Sequence, residues 1–205
     1  MAITNGYATL VQIKARLGIT GSGEDTLLEE AVQSASREID KHCHRRFYLD
    51  SSATARVYYP RSSCHATVDD ISTTTGLVIK TDTAGDGTYA TTWVSADYEL
   101  SPLNGVVDSE SGWPYYMLKA IRSLRFTPQT TYGPAPLQVT AKWGWAAVPD
   151  PVYQACLIMA TANYKLKDSA FGSVGIGELG IVTVRQTPAA MAKLVPYRLN
   201  PVLVG

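Results

Sequence analysis

The stretch Glu24-Asp-Thr-Leu-Leu-Glu-Glu-Ala-Val-Gln-Ser-Ala-Ser-Arg-Glu-Ile-Asp-Lys-His-Cys-His-Arg-Arg-Phe47 carries the strongest pattern in the chain. Leu28, Ala31, Val32, Ala35, Ile39 and Cys43 recur at three- and four-residue spacing, which puts them on one face of a helix. Glu30, Gln33, Arg37, Lys41 and His44 fall on the opposite face. The spacing predicts a helix from about Asp25 to Arg45, with Ser22 as its N-cap. Ala31 and Ala35 are small enough to let a second helix approach closely. The chain is therefore built around packed helices, and the rest of the sequence supplies the partners.

Upstream, Thr9-Leu-Val-Gln12 fits a capping box, in which the threonine and glutamine side chains satisfy each other's backbone amides. Leu10, Ile13 and Leu17 make a short stripe, and Gly18 stops it. Downstream, Asp150-Pro151 reads as an N-cap followed by a first-turn proline. It opens a third helix that runs to about Lys167. That helix is apolar or small on nearly every side from Val152 to Ala162, so it must be covered all round, in part by neighbouring subunits.

Between the second and third helices the period changes. Arg56–Tyr59 is rich in β-formers and ends at Pro60. Leu77–Thr81 and Tyr89–Val94 flank Ala84-Gly-Asp-Gly87 as a hairpin. Tyr98–Leu100 continues the sheet. Ala120–Phe126 and Leu137–Trp143 alternate as a strand pair joined across Gly133-Pro-Ala-Pro136. After Phe171 the chain changes again: Ile181–Val184 can add to a sheet, Pro188–Leu194 can form a short helix, and the remainder is extended, apolar and proline-punctuated. This segment has too little material for its own core and reads as a docking arm.

The expected class is α+β, with a core of three helices, an inserted antiparallel β-rich region and an extended C-terminal arm. The boundaries are 1–54 for the N-terminal helical part, 55–146 for the β-rich region, 147–170 for the third helix and 171–205 for the arm.

The 18 basic residues balance the 18 acidic ones, which argues against a free-standing nucleic-acid binder. The first residues have neither a charged n-region nor an apolar h-region, so no signal peptide is expected. The apolar run from Pro151 to Tyr164 is shorter than the ~20 residues that span a bilayer. Three cysteines (Cys43, Cys64, Cys156) make no even framework, and free thiols are expected.

His42-Cys43-His44 and Cys64-His65 suggest zinc, but Cys43 lies on the apolar helix face while His44 points away. A buried thiol beside helix-end histidines explains them better. Asp82-Thr-Ala-Gly-Asp-Gly87 suggests calcium but lacks the distal glutamate, and a hairpin turn accounts for the same residues. Neither a metal nor a cofactor is expected. Lys41, Arg45 and Arg46, with the two histidines, form a basic run that complements the helix dipole, or else meets a DNA backbone or an acidic partner. Nucleophile-elbow, Walker A and zincin patterns are missing from the sequence, and no enzyme is expected.

The order of the pieces resembles the head–tail connector (adaptor) family of long-tailed bacteriophages. One carrying segment is Leu10-Val-Gln-Ile-Lys-Ala-Arg-Leu17 followed by Glu24–Val32 and Ala35–Phe47, with its closing Arg45-Arg46-Phe47. The other is Leu137-Gln-Val-Thr-Ala-Lys-Trp-Gly-Trp145, then Val148-Pro-Asp150 and the apolar helix. The β-rich middle, especially 72–93, is longer than in compact members.

The resemblance implies a virion protein assembled in the host cytoplasm. It implies a homo-oligomeric ring, a dodecamer in that family, seated beneath the portal. The ring extends the channel for double-stranded DNA and offers a site to the downstream neck or tail protein. It implies a terminal arm that grips the portal, here with Ile181, Val184, Leu194, Tyr197, Arg198 and Leu199 as contacts, and Lys41, Arg45 and Arg46 as channel or interface residues. Another neck component (a stopper or tail terminator) is the nearest rival. A carbohydrate-binding β module, suggested by Trp93, Trp113, Tyr115, Tyr116 and Tyr132, is the rival from a different class.

Overall fold

The computed structural model describes residues 3–128, 133–168, 173–175, 181–183 and 187–199. Two compact units are present: Met1–Tyr48 together with Val148–Arg198, and Leu49–Ala147 together with Leu199–Gly205. The class is α+β, with the α-helices and one two-stranded antiparallel pair in the first unit and the larger antiparallel sheets in the second.

In the helical unit, α1 (Leu10–Leu17) starts at the expected capping box. Thr9 accepts the Gln12 N–H, Gln12 accepts the Thr9 N–H, and Gly18 closes the helix in the left-handed region at φ 70°. α2 spans Asp25–Cys43, ending two residues before the expected Arg45, and His44 takes the left-handed closing position. Glu24, not Ser22, occupies the N-cap, and no side chain caps the helix there. The Ser22 carbonyl instead accepts the Asp25 N–H in a turn. All six residues of the anticipated apolar face are buried.

α3 spans Asp150–Lys165, with Pro149 rather than Asp150 at the cap and Pro151 in the first turn. It packs on α2, on α1 and on α4 (Pro188–Leu194). Val152, Ala155, Cys156, Leu157, Met159 and Ala160 are buried, so much of the cover that the apolar helix demanded comes from within the chain. Each large aliphatic so buried contributes about 1.5–3 kcal/mol.

α4 is part of the segment expected to dock elsewhere. Ala190 and Leu194 are fully buried and Tyr197 nearly so, which makes this stretch a fourth element of the helical core. Farther up the segment, β10 (Ser173–Gly175) and β11 (Ile181–Thr183) pair with each other as an antiparallel hairpin.

The β unit holds a four-stranded and a three-stranded sheet. The first has the order β1 (Thr54–Tyr58), β9 (Leu137–Ala141), β3 (Val78–Thr81), β4 (Thr91–Trp93), all antiparallel. β9 alternates buried and half-buried residues along its length, as a strand with one face on a core must. The second has the order β2 (His65–Ile71), β8 (Tyr115–Ala120), β5 (Tyr98–Ser101). A bridge between Ile71 and Trp143 connects them. Val68, Ile71, Ile79, Trp93, Leu118, Phe126, Leu137, Val139 and Trp143 are among the residues of the shared core. A small hairpin of β6 (Val106–Val107) and β7 (Glu110–Ser111) projects between β5 and β8.

Three expectations need correction here. Ala120–Phe126 is not a strand and does not pair with β9. The strand lies earlier, at Tyr115–Ala120, and the chain then loops so that Phe126 stacks on Trp93 with centroids 4.6 Å apart and rings 8° from parallel. Tyr98–Leu100 does not extend the β3–β4 sheet but joins the other one. β2 is a strand that the sequence reading passed over. The 84–87 hairpin stands: β3 and β4 pair, and the Asp82 carboxylate accepts N–H groups from Ala84, Gly85 and Gly87. Burial would push that carboxyl upward, but these amides, with that of Asp86, outweigh it and hold Asp82 below the usual carboxylate range. The loop thus uses its own acid to fill its ring of backbone donors.

Candidate assembly surface

In the helical unit, the C-terminal end of α2 draws the N-terminal strap and the C-terminal segment to one place. Tyr7 is buried and donates its hydroxyl to Asp40, while the same oxygen accepts the Phe47 N–H at 2.9 Å. The Tyr7 N–H is taken by the buried Ser36 hydroxyl at 3.1 Å, and Ser36 lies 3.5 Å from the Cys156 sulfur of α3. Arg37 donates to the Asn5 carbonyl at 2.7 Å, pairs with Asp40 at 3.3 Å, and lies over the Tyr7 and Tyr48 rings. Its Nε–H faces no acceptor among the described residues.

Burial raises Asp40 above its ordinary value, although Tyr7, Arg37 and Arg46 pull it down. Burial and then Asp40 raise Tyr7. Burial likewise pushes the Cys43 thiol up to about 12 and Cys156 to about 11, so neither is a reactive thiolate at neutral pH.

Phe47 meets Tyr7 edge-on at 5.7 Å and Tyr197 edge-on at 5.9 Å. Arg45 is buried and donates to the Tyr197 carbonyl at 3.4 Å. His42 is lowered by burial and by the neighbouring Arg198 and His44, which places Arg198 beside the end of α2. The basic run and the C-terminal segment, read from the sequence as separate features, are therefore one surface.

Within it the anticipated contacts divide. Leu194 and Tyr197 are inside the chain's own core and hold the segment in place rather than presenting it. Arg45 is turned inward as well. Lys41, Arg46 and Arg198 are exposed, and Arg46 lies over the Tyr48 ring with a 3.1 Å bond to its hydroxyl; Leu199, half-buried, falls in the other unit. Ile181 stands in β11, and Val184 lies outside the described residues.

The Tyr7–Asp40–Arg37 network was not foreseen. A tyrosine just ahead of a capping box carries no signal of a contact 33 residues away. The β6–β7 hairpin was also missed, although Asn104-Gly105 and Asp108-Ser109 are turn-forming pairs.

Among the described residues, no group of three or more His, Cys, Asp or Glu is placed to hold a metal, and no helix is long and apolar enough to cross a membrane. What the fold and this surface define is a small α+β protein whose distinctive groups are cationic and aromatic side chains gathered at chain segments that come together only on folding.

Residues 7–91 match the family model of the phage gp6-like head-tail connector protein. The resemblance read from the sequence is borne out there, over the first of its two carrying segments. The second segment, Leu137–Asp150, lies beyond the matched stretch. Among solved structures, a chain of the "Neck of empty GTA particle computed with C6 symmetry" is similar at 17% identity and TM-score 0.57, with 100% of this chain and 96% of that one covered. A chain of the "Virion of native gene transfer agent (GTA) particle" is similar at 16% identity and TM-score 0.55, with the same coverage. At these identities the likeness is one of fold, and it extends over the whole chain. No curated protein matches.

Proposed function

We propose that this chain is a structural head–tail connector: a subunit of a ring beneath the portal of a tailed particle, extending its DNA channel and receiving the next neck or tail protein. The observation that carries this reading is the connector family match over residues 7–91. The whole-chain fold likeness to proteins of a neck and of a virion supports it. The ring is a homo-oligomer, a dodecamer in this reading, assembled in the host cytoplasm and retained in the particle. Its contacts with double-stranded DNA are brief and independent of sequence, as suits a chain without net charge.

The portal contact belongs to the C-terminal segment. α4 and Tyr197 anchor that segment to the helical core, and the portal contacts proposed in it are Ile181, Val184, Arg198 and Leu199. Lys41 and Arg46 are proposed as further interface residues. Repetition around a ring makes modest contacts durable through multivalency.

The test is electron microscopy of particles made without this protein. Filled or leaking heads beside free, complete tails are expected. Normally tailed particles would overturn the reading.

A further inference from the structure

The three-stranded sheet of the β unit ends in two unlike surfaces. At one end, where β5 begins and β8 finishes, Val94 and Ile121 are exposed at 59% and 48%. They are joined through Asp97, whose N–H reaches the Val94 carbonyl at 2.9 Å and whose carbonyl accepts the Ile121 N–H at 3.0 Å. The Asp97 carboxylate is turned onto the Val94 N–H at 2.9 Å. Arg122 and Arg125 follow Ile121, both exposed. The Arg125 guanidinium is held by the carbonyls of Arg122 and Leu124. Neither arginine has a carboxylate partner among the described residues.

At the opposite end, where β5 finishes and β8 begins, the 3-10 turn Leu103–Gly105 and the β6–β7 hairpin it leads into carry Leu103 and Val106, exposed at 58% and 41%. Asp108 and Glu110 are exposed at and beside its tip, and they too are without an ion-pair partner among the described residues. The hairpin is braced at its base. Gly105 accepts the Trp113 N–H at 3.0 Å, and its φ of +62° leaves no room for a side chain, since a Cβ would sit 2.8 Å from the Trp113 oxygen.

Each end thus presents two exposed aliphatics beside two unpaired charges, and the charges are opposite in sign. The four residues of β5 separate the ends by about 13 Å at ~3.3 Å per residue, and the ends point in opposite directions along the strands. They are placed to meet only on different molecules. Opposite patches at opposite ends of one element are what a heterologous, head-to-tail contact requires. Complementary charge then fixes register and suppresses wrong pairings.

Resting on the ring reading above, we infer that the occupant of each surface is a second copy of this chain. The Leu103–Val106–Asp108–Glu110 hairpin of one subunit docks on the Val94–Ile121–Arg122–Arg125 end of the next.

The experiment uses two full-length variants, Arg122→Glu with Arg125→Glu, and Asp108→Lys with Glu110→Lys. Each is checked for folding by circular dichroism and sized by sedimentation velocity. The first has two acidic ends and the second two basic ends. Each alone is expected to lose wild-type assembly, and an equimolar mixture is expected to regain it by alternation. If the wild type assembles and neither variant disturbs it, or the mixture does not restore what both lose, this contact is wrong and the ring reading survives. A wild-type chain that stays monomeric up to its solubility limit overturns both.

Discussion

Tyr7 shows how much one side chain can carry. Its hydroxyl donates to Asp40 and accepts the Phe47 N–H, so Tyr7→Phe removes a hydrogen bond from a buried amide and another from a carboxylate. Losses of this kind cost about 1–3 kcal/mol. Urea unfolding should show the midpoint falling with little change in slope. Asp40 sets a pH dependence of known sign. Burial raises its folded value above the ordinary one, so the folded state holds this proton more tightly than the unfolded chain does. The stabilising contribution is full below about pH 4, the ordinary aspartate range, and is lost as the pH rises through the folded value. Asp40→Asn should therefore gain stability relative to wild type as the pH is raised from 4 to 7. A gap that stays constant or moves the other way would contradict this assignment.

At the level of elements, period and caps behave as local physics dictates. α1 is delimited by Thr9, Gln12 and Gly18, all within a dozen residues of one another. α2 buries the face that its spacing marks out, and Leu28→Ala there should cost about 2–5 kcal/mol in a denaturant melt. Strand pairing is different. Alternation along 120–126 is compatible with a strand, but the energy of stacking Phe126 on Trp93 and the bonds Ala120 N–H to Cys64 O and Phe126 N–H to Ser63 O fix the turn there instead. The β6–β7 hairpin rests on Gly105. Gly105→Ala combines a left-handed backbone with a clash against main-chain atoms, and strain of that kind costs of order 1–3 kcal/mol. The variant should weaken subunit assembly in sedimentation more than it lowers the melting temperature of the isolated chain.

For the molecule as a whole, the chain leaves the helical unit after Tyr48 and returns at Val148. The C-terminal segment has two tasks that two different changes separate. Arg198→Glu leaves α4 and Tyr197 in place, so thermal unfolding should be nearly unchanged while binding to the portal is weakened. Ending the chain after Lys167 removes Ala190, Leu194 and Tyr197 from the helical core and should lower the melting temperature markedly. A melting temperature equal to that of the full chain would show that α4 contributes nothing to the core.

The sequence by itself determined the helices, the 84–87 hairpin, the α+β class and the connector resemblance, because caps, glycines and periodicity act over a few neighbouring residues. Only the tertiary structure decided which strands pair, that Leu194 and Tyr197 face inward, and that Arg45 and Arg198 join the end of α2 to the C-terminal segment. It also decided that opposite charges stand at opposite ends of one sheet. These outcomes depend on contacts between residues tens to more than a hundred positions apart. Burial and packing choose among many locally equivalent arrangements there, and no local pattern encodes the choice.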